Sequence, residues 1–375
     1  MFFSPAILSL SMGLMALTTV LRFRHLQTVG GSIRILLLLL LCYAILPVTG
    51  LFRGDEHWLD ELILKAPLWV VPSYLVAIRF NWVRNELLSA YLAGVTAVVA
   101  LLSTVNYFMH QTEIDALLLQ SKHVPVIGGV HHIYFGVFMA ACIWLSVWMV
   151  RVGSLRSLWI TLAGILFICM HILSSRTGLV ALYLSGSILL FDVLRRLNKR
   201  MLIGAVAGLV LVPVLAFVAS SSLQNKVANS IEDFTAFQTG EDINYKSFAM
   251  RAEAWKATTF VWFTHPFSGV GDGGFEPALQ EAYTTMNTSL YPENRIGPHN
   301  QFLEAGAKYG WFGFILILLF FVMWFVSGRR SIYALTCLVL FGFVFLLESW
   351  LERQLGMMGV SLFLLGSILP QESID

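Results

Sequence analysis

Long apolar runs separated by short polar connections make up most of this chain. Read as helices, the runs fall near residues 2–21, 33–52, 62–78, 87–108, 130–150, 155–173, 177–194, 201–220, 307–326, 332–348 and 354–370. At about 1.5 Å of rise per residue, runs of this length match a hydrocarbon layer of roughly 30 Å. Strand-type alternation over about ten residues, the pattern of an outer-membrane barrel, does not occur. The pattern therefore predicts an all-α polytopic membrane protein with eleven transmembrane helices, or twelve if one crossing in the first half is merged or missed.

One long hydrophilic stretch, residues 221–306, interrupts the pattern. Within it, NYKSFAMRAEAWKATTFVWFTH has helical spacing: Phe248, Trp255 and Trp262 share a face, Arg251 lies one turn before Trp255, and Pro266 ends the run. The expected organisation is membrane helices over 1–220, an external loop of short helices over 221–306, and membrane helices again over 307–375. No internal repeat or low-complexity tail is present.

Composition agrees with the pattern. The chain is 57% hydrophobic and 12% charged, with a mean hydropathy of +0.75, whereas soluble domains carry about 25% charged residues. Charge placement orients the spans. Thirteen of the 24 Lys and Arg fall in five short connections, at 22–34, 79–84, 151–156, 195–200 and 329–330, while the alternate connections are acidic or nearly uncharged. The positive-inside rule puts the five basic connections in the cytoplasm and residues 221–306 outside. The start of the chain lacks a basic segment before its apolar run and reads as a retained first span. All four cysteines, Cys42, Cys142, Cys169 and Cys337, lie in apolar spans as small buried hydrophobes.

Candidate chemistry gathers on the external side. Arg176, in HILSSRTGLVAL, sits where two spans meet with almost no loop. It reads either as a helix-end arginine snorkelling to the surface or as an anion site, since a guanidinium fork suits phosphate oxygens. Arg251 is a second arginine on that side, with Lys256 and Arg295 as weaker candidates. His299, in GPHNQFLEAG, follows a Gly-Pro turn and precedes a helix start near Asn300; an imidazole there suits proton removal near neutral pH, with Asn300 or Glu304 available to orient it. The glycine stretch GVGDGGFEP (269–277) lacks the strand and the Gly-Lys-Ser/Thr of a phosphate loop and reads as a sharp turn carrying Phe275. His131 and His132 have no evident further ligands, and no Asp-x-Asp pair points to a metal-held diphosphate. Two arginines and a histidine fit transfer of a group from a lipid diphosphate to a hydroxyl.

Four segments resemble the O-antigen ligase/polymerase superfamily of bacterial membrane proteins: SSRTGLV (174–180), MRAEAWKATTFVWFTHPFSGVGDGGF (250–275), GPHNQFLEAGAKYGWFG (297–313) and ESWLERQLGMMGVSLFL (348–364). The resemblance covers roughly residues 170–365; the first half of the chain matches mainly in hydropathy. It implies a multi-pass protein of the bacterial inner membrane with its active site facing the periplasm. The implied reaction is a metal-independent, inverting glycosyl transfer that needs no cofactor and no nucleic acid. The donor would be a glycan on undecaprenyl diphosphate, held by Arg176 and Arg251, with Arg295 and Asn300 as further substrate contacts and His299 at the acceptor hydroxyl. The acceptor would be lipid A-core in a ligase, or a lipid-linked glycan in a polymerase of O-antigen, capsule or exopolysaccharide; the single external loop favours the ligase. A transporter of a lipidic or anionic solute is the alternative of another class, and it would call for broken or charged mid-membrane helices.

Overall fold

The computed structural model describes residues 5–22, 24, 30–119, 123–173, 175–194 and 242–369, with isolated positions between 203 and 235. Apart from those isolated positions, the expected span at 201–220 and the start of the long polar segment lie outside the described residues.

Secondary structure in the described residues is helical. In chain order the helices are α1 Pro5–Leu21, α2 Gly31–Ala44, α3 Trp58–Lys65, α4 Pro67–Ala77, α5 Glu86–Met109, α6 Gln111–Leu119, α7 His132–Val152, α8 Arg156–Leu173, α9 Arg176–Leu194, α10 Ser247–Thr264, α11 Asp272–Thr285, α12 Gln301–Gly328, α13 Ile332–Leu347 and α14 Gln354–Ile368. A 3-10 turn at Leu46–Arg53 prolongs α2. Among the described residues five segments are long and apolar enough to cross a membrane: α2 with its extension, α5, α7, α8 and α12. Parts of α1 and α9, together with α13 and α14, are shorter apolar helices.

The organising element is α7, which is apolar all round and packs against α5, α8, α9, α13 and α14. A helix without a polar face belongs inside a bundle. Its crossing with α9 is a glycine contact: a Cβ on Gly178 would lie 2.8 Å from the backbone of Gly136. Small residues at such a crossing let helix backbones approach closely in lipid. That crossing fixes the start of α9, and with it Arg176, beside the start of α7.

The expected span at 62–78 is two helices rather than one. α3 stops at Lys65, which is fully buried, and α4 starts at Pro67 with Pro72 inside it. Proline suits a first helical position, because its missing N–H has no helical partner there. The apolar run is thus interrupted by a buried charge, and the single span expected at 62–78 is corrected to two short helices.

A second break lies in α12, where Gly310 has φ 66° and ψ −160°. The chain at 266–271 covers the break with backbone hydrogen bonds. The N–H of Val270 donates to the Ala307 carbonyl at 3.0 Å, that of Gly271 to the Lys308 carbonyl at 2.8 Å, and that of Trp311 to the Pro266 carbonyl at 2.8 Å. A Cβ on Gly269 would lie 2.3 Å from the Lys308 backbone, so only glycine permits the approach. The glycine stretch is therefore a seam between two backbones, and Phe275 is buried in the first turn of α11. α10 and α11 pack on each other and on α12. Their apolar faces form a second core, with Val261, Trp262, Phe275, Leu279 and Tyr283, apart from that of the bundle.

Candidate active site

At the end of the bundle where α7, α9 and α12 begin and α13 ends, three polar side chains join. Glu348 caps the C-terminus of α13 and its side chain is only 4% exposed. One of its oxygens accepts from Arg251 Nη2 at 2.8 Å, and the other lies 2.9 Å from His299 Nδ1. Arg251 comes from α10, so a residue of the long polar segment meets two residues that flank membrane-type helices. A buried carboxylate needs such partners, because leaving water uncompensated costs several kcal/mol.

His299 is held from both sides. Before it, Trp255 Nε1 donates to the Pro298 carbonyl at 2.7 Å. After it, the Asn300 side-chain oxygen accepts from the N–H groups of Phe302 and Leu303, capping α12, while its amide donates to the Leu346 carbonyl at 3.1 Å. Asn is among the preferred N-cap residues for this reason. His299 itself has φ 44°, a left-handed conformation that a non-glycine residue adopts only where its surroundings hold it. With Nδ1 donating to Glu348, the lone pair sits on Nε2, and the imidazole edge is one-third exposed.

The sequence candidates are thus distributed unevenly. Arg251 and His299 meet through Glu348, and Asn300 positions His299 through the cap. Arg176 is exposed at the first residue of α9. Its neighbour Ser175 reaches the His132 carbonyl at 3.4 Å, which puts Arg176 at the same end of the bundle. Arg295 turns toward α11: its Nη1 donates to Thr284 at 3.1 Å and its guanidinium lies 5.9 Å from the Tyr283 ring centre. Lys256 pairs with Glu253 on the surface of α10. His131 joins the site electrostatically. Burial pushes its imidazole below the usual value, against the opposing pull of Glu348.

Sequence reading missed two things. The first is Glu348, in the string ESWLERQ, whose signal is a carboxylate at the junction of two apolar helices. The second is a buried ionic cluster beneath the site. Lys65 Nζ lies 3.0 Å from Asp272 and 3.4 Å from both Glu61 and Glu352. Lys308 Nζ lies 2.7 Å from Glu352, 2.9 Å from Glu304 and 3.4 Å from Asp272. Gln301 donates to Tyr43 at 3.0 Å and to Glu352 at 3.2 Å, and Tyr309 donates to Asp272. Glu61, Asp272 and Glu352 approach closely enough to hold a metal ion; the cations built in among them are the two ammonium groups.

The fold and the site define an all-α, multi-pass membrane protein with a cluster of Arg251, Glu348 and His299 at one end of its bundle. Residues 161–318 match the protein family described as O-antigen ligase. The match takes in Arg176, Arg251, Arg295, His299 and Asn300, whereas Glu348 and Glu352 lie beyond its end. No curated protein matches the chain.

Proposed function

We propose that this protein transfers a glycan from undecaprenyl diphosphate to an acceptor hydroxyl at the periplasmic face of the bacterial inner membrane, with ligation of O-antigen to lipid A-core as the first reading. The observation that carries the proposal is the Glu348 carboxylate joining His299 to Arg251. It couples a base suited to the acceptor to a cation suited to the donor.

In this reading the acceptor hydroxyl approaches His299 Nε2, which takes its proton as the oxygen attacks the anomeric carbon. The bond from that carbon to the diphosphate oxygen breaks, its electron pair leaves with the diphosphate, and attack from the opposite face inverts the anomeric centre. Charge on the leaving diphosphate is met by Arg176 and Arg251, whose forks fit phosphate oxygens. Glu348 keeps Nδ1 protonated and stabilises the imidazolium that forms. Two arginines at the diphosphate make the transfer metal-independent, so chelators should leave it intact. Arg295 and Asn300 act at a distance from the reacting bond, Arg295 by shaping the loop and Asn300 by holding the histidine.

A polymerase uses the same chemistry with a lipid-linked glycan as acceptor, and a glycolipid gel separates the two. In a strain lacking this protein, long chains that persist on the lipid carrier without reaching the core support the ligase. Single repeats on the core without a ladder support the polymerase. Normal transfer by a His299→Ala variant at native expression would sink the shared mechanism.

A further inference from the structure

At the opposite end of the bundle lies a cavity of about 500 Å³ that the proposed reaction does not use. It is lined by the C-terminal ends of α7, α9, α12 and α14 and by the start of α13. Arg151 and Arg330 line it, and Asp192, 2% exposed, lies 3.7 Å from Arg151. Ser327, Ser331 and Ser367 add hydroxyls. The Ser331 oxygen accepts from the Ala334 N–H at 3.2 Å, capping α13. The other first-turn N–H groups of that helix have no helical partner and favour negative charge. One wall is apolar, made by Trp148 stacked on Tyr333 at 4.9 Å.

We propose that this cavity binds the phosphodiester headgroup of a membrane glycerophospholipid. Two guanidinium groups against one carboxylate leave a net charge of one, which matches the single charge of a phosphodiester better than the near-double charge of free phosphate. The surroundings suit an amphiphile. Val152 at the rim is 44% exposed, and Phe325 and Val326, just before Ser327, are 48% and 46% exposed. These apolar groups lie where acyl chains would leave the headgroup. The basic connections at 151–156 and 329–330 put this end at the cytoplasmic surface, where basic pockets between helices receive lipid headgroups.

The test is native mass spectrometry of the detergent-purified protein titrated with phosphatidylglycerol. Wild type is expected to hold one lipid with higher affinity than the rest. Arg151→Gln/Arg330→Gln should weaken that first binding by roughly tenfold or more. The Arg151 change strips Asp192 of a cation and risks misfolding, so Arg330→Gln alone, at an exposed position, is the second variant. It should still weaken the site severalfold while eluting as a single species. Unchanged first-lipid affinity in Arg330→Gln would overturn the proposal, and so would displacement of the lipid by an equal concentration of inorganic phosphate. Neither readout depends on glycan transfer.

Discussion

Glu348 is the residue through which the two ends of the proposed reaction communicate. Its two oxygens are divided between His299 and Arg251, so neither partner has the carboxylate to itself. Glu348→Gln keeps a side chain of the same shape that still accepts a hydrogen bond, but it removes the charge that favours an imidazolium. Turnover of a reconstituted lipid-linked donor should fall by about 10²–10⁴, the range of general acid–base contributions, with the protein still inserted. Turnover at the wild-type level would exclude Glu348 from the chemistry. Arg251→Lys belongs to the same scale. An ammonium on a long stem reaches Glu348 but cannot also present a planar fork to phosphate. It should therefore recover only part of the activity lost in Arg251→Ala, read in the same assay; full recovery would argue that Arg251 acts as a simple charge.

The polar chemistry depends on helices that start, stop or break in particular places. α12 begins at the Asn300 cap directly after His299, so helix start and base position are one feature. Asn300→Ala should cost about 1 kcal/mol of stability and lower activity beyond that, because the lost cap also frees His299 from its left-handed conformation. The break at Gly310 is less forgiving. A Cβ there would lie 2.4 Å from the Phe267 carbonyl at a backbone angle that L-residues resist. Gly310→Ala should lower the thermal midpoint of the detergent-solubilised protein clearly more than Gly94→Ala, where a Cβ meets nothing within 4 Å. Equal effects would show that the seam with 266–271 is not needed. The membrane class was legible in the sequence, because hydropathy and charge alternation report on solvent directly. So was the presence of polar residues in short motifs, Arg251 and His299 among them, as candidates. Their meeting point was not: Glu348 lies 49 positions from His299, and period or spacing carries no information over that distance. The split of 62–78 was hidden for another reason, since a single Lys65 barely dents the hydropathy of an apolar run.

Seen across the whole molecule, the buried charges under the site tie α3, the start of α11, α12 and the turn between α13 and α14 into one unit. Lys65 and Lys308 are the shared partners, so this network fastens α11, from the long polar segment, to the membrane helices. Breaking a buried ion pair by removing one partner costs about 3–5 kcal/mol, because the other charge stays buried. Lys308→Met should do this to Glu304, while Glu352 and Asp272 keep Lys65. The network also sets a pH response. Burial opposes charge on Glu352, but Lys308 and Lys65 more than offset it and hold the carboxyl well below the usual range. As pH falls, the unfolded chain protonates this carboxyl near about 4.3, while the folded protein does so only at lower pH. The stabilisation is therefore fully present above about pH 5 and drains away below the unfolded value. Other carboxylates titrate in the same window, so the informative quantity is a difference. The gap in thermal midpoint between wild type and Glu352→Gln should be wide at neutral pH and should narrow as the buffer is taken below about pH 4. A gap that stays constant over that range would mean that Glu352 holds α11 to the bundle by shape and hydrogen bonding, with its charge playing no part.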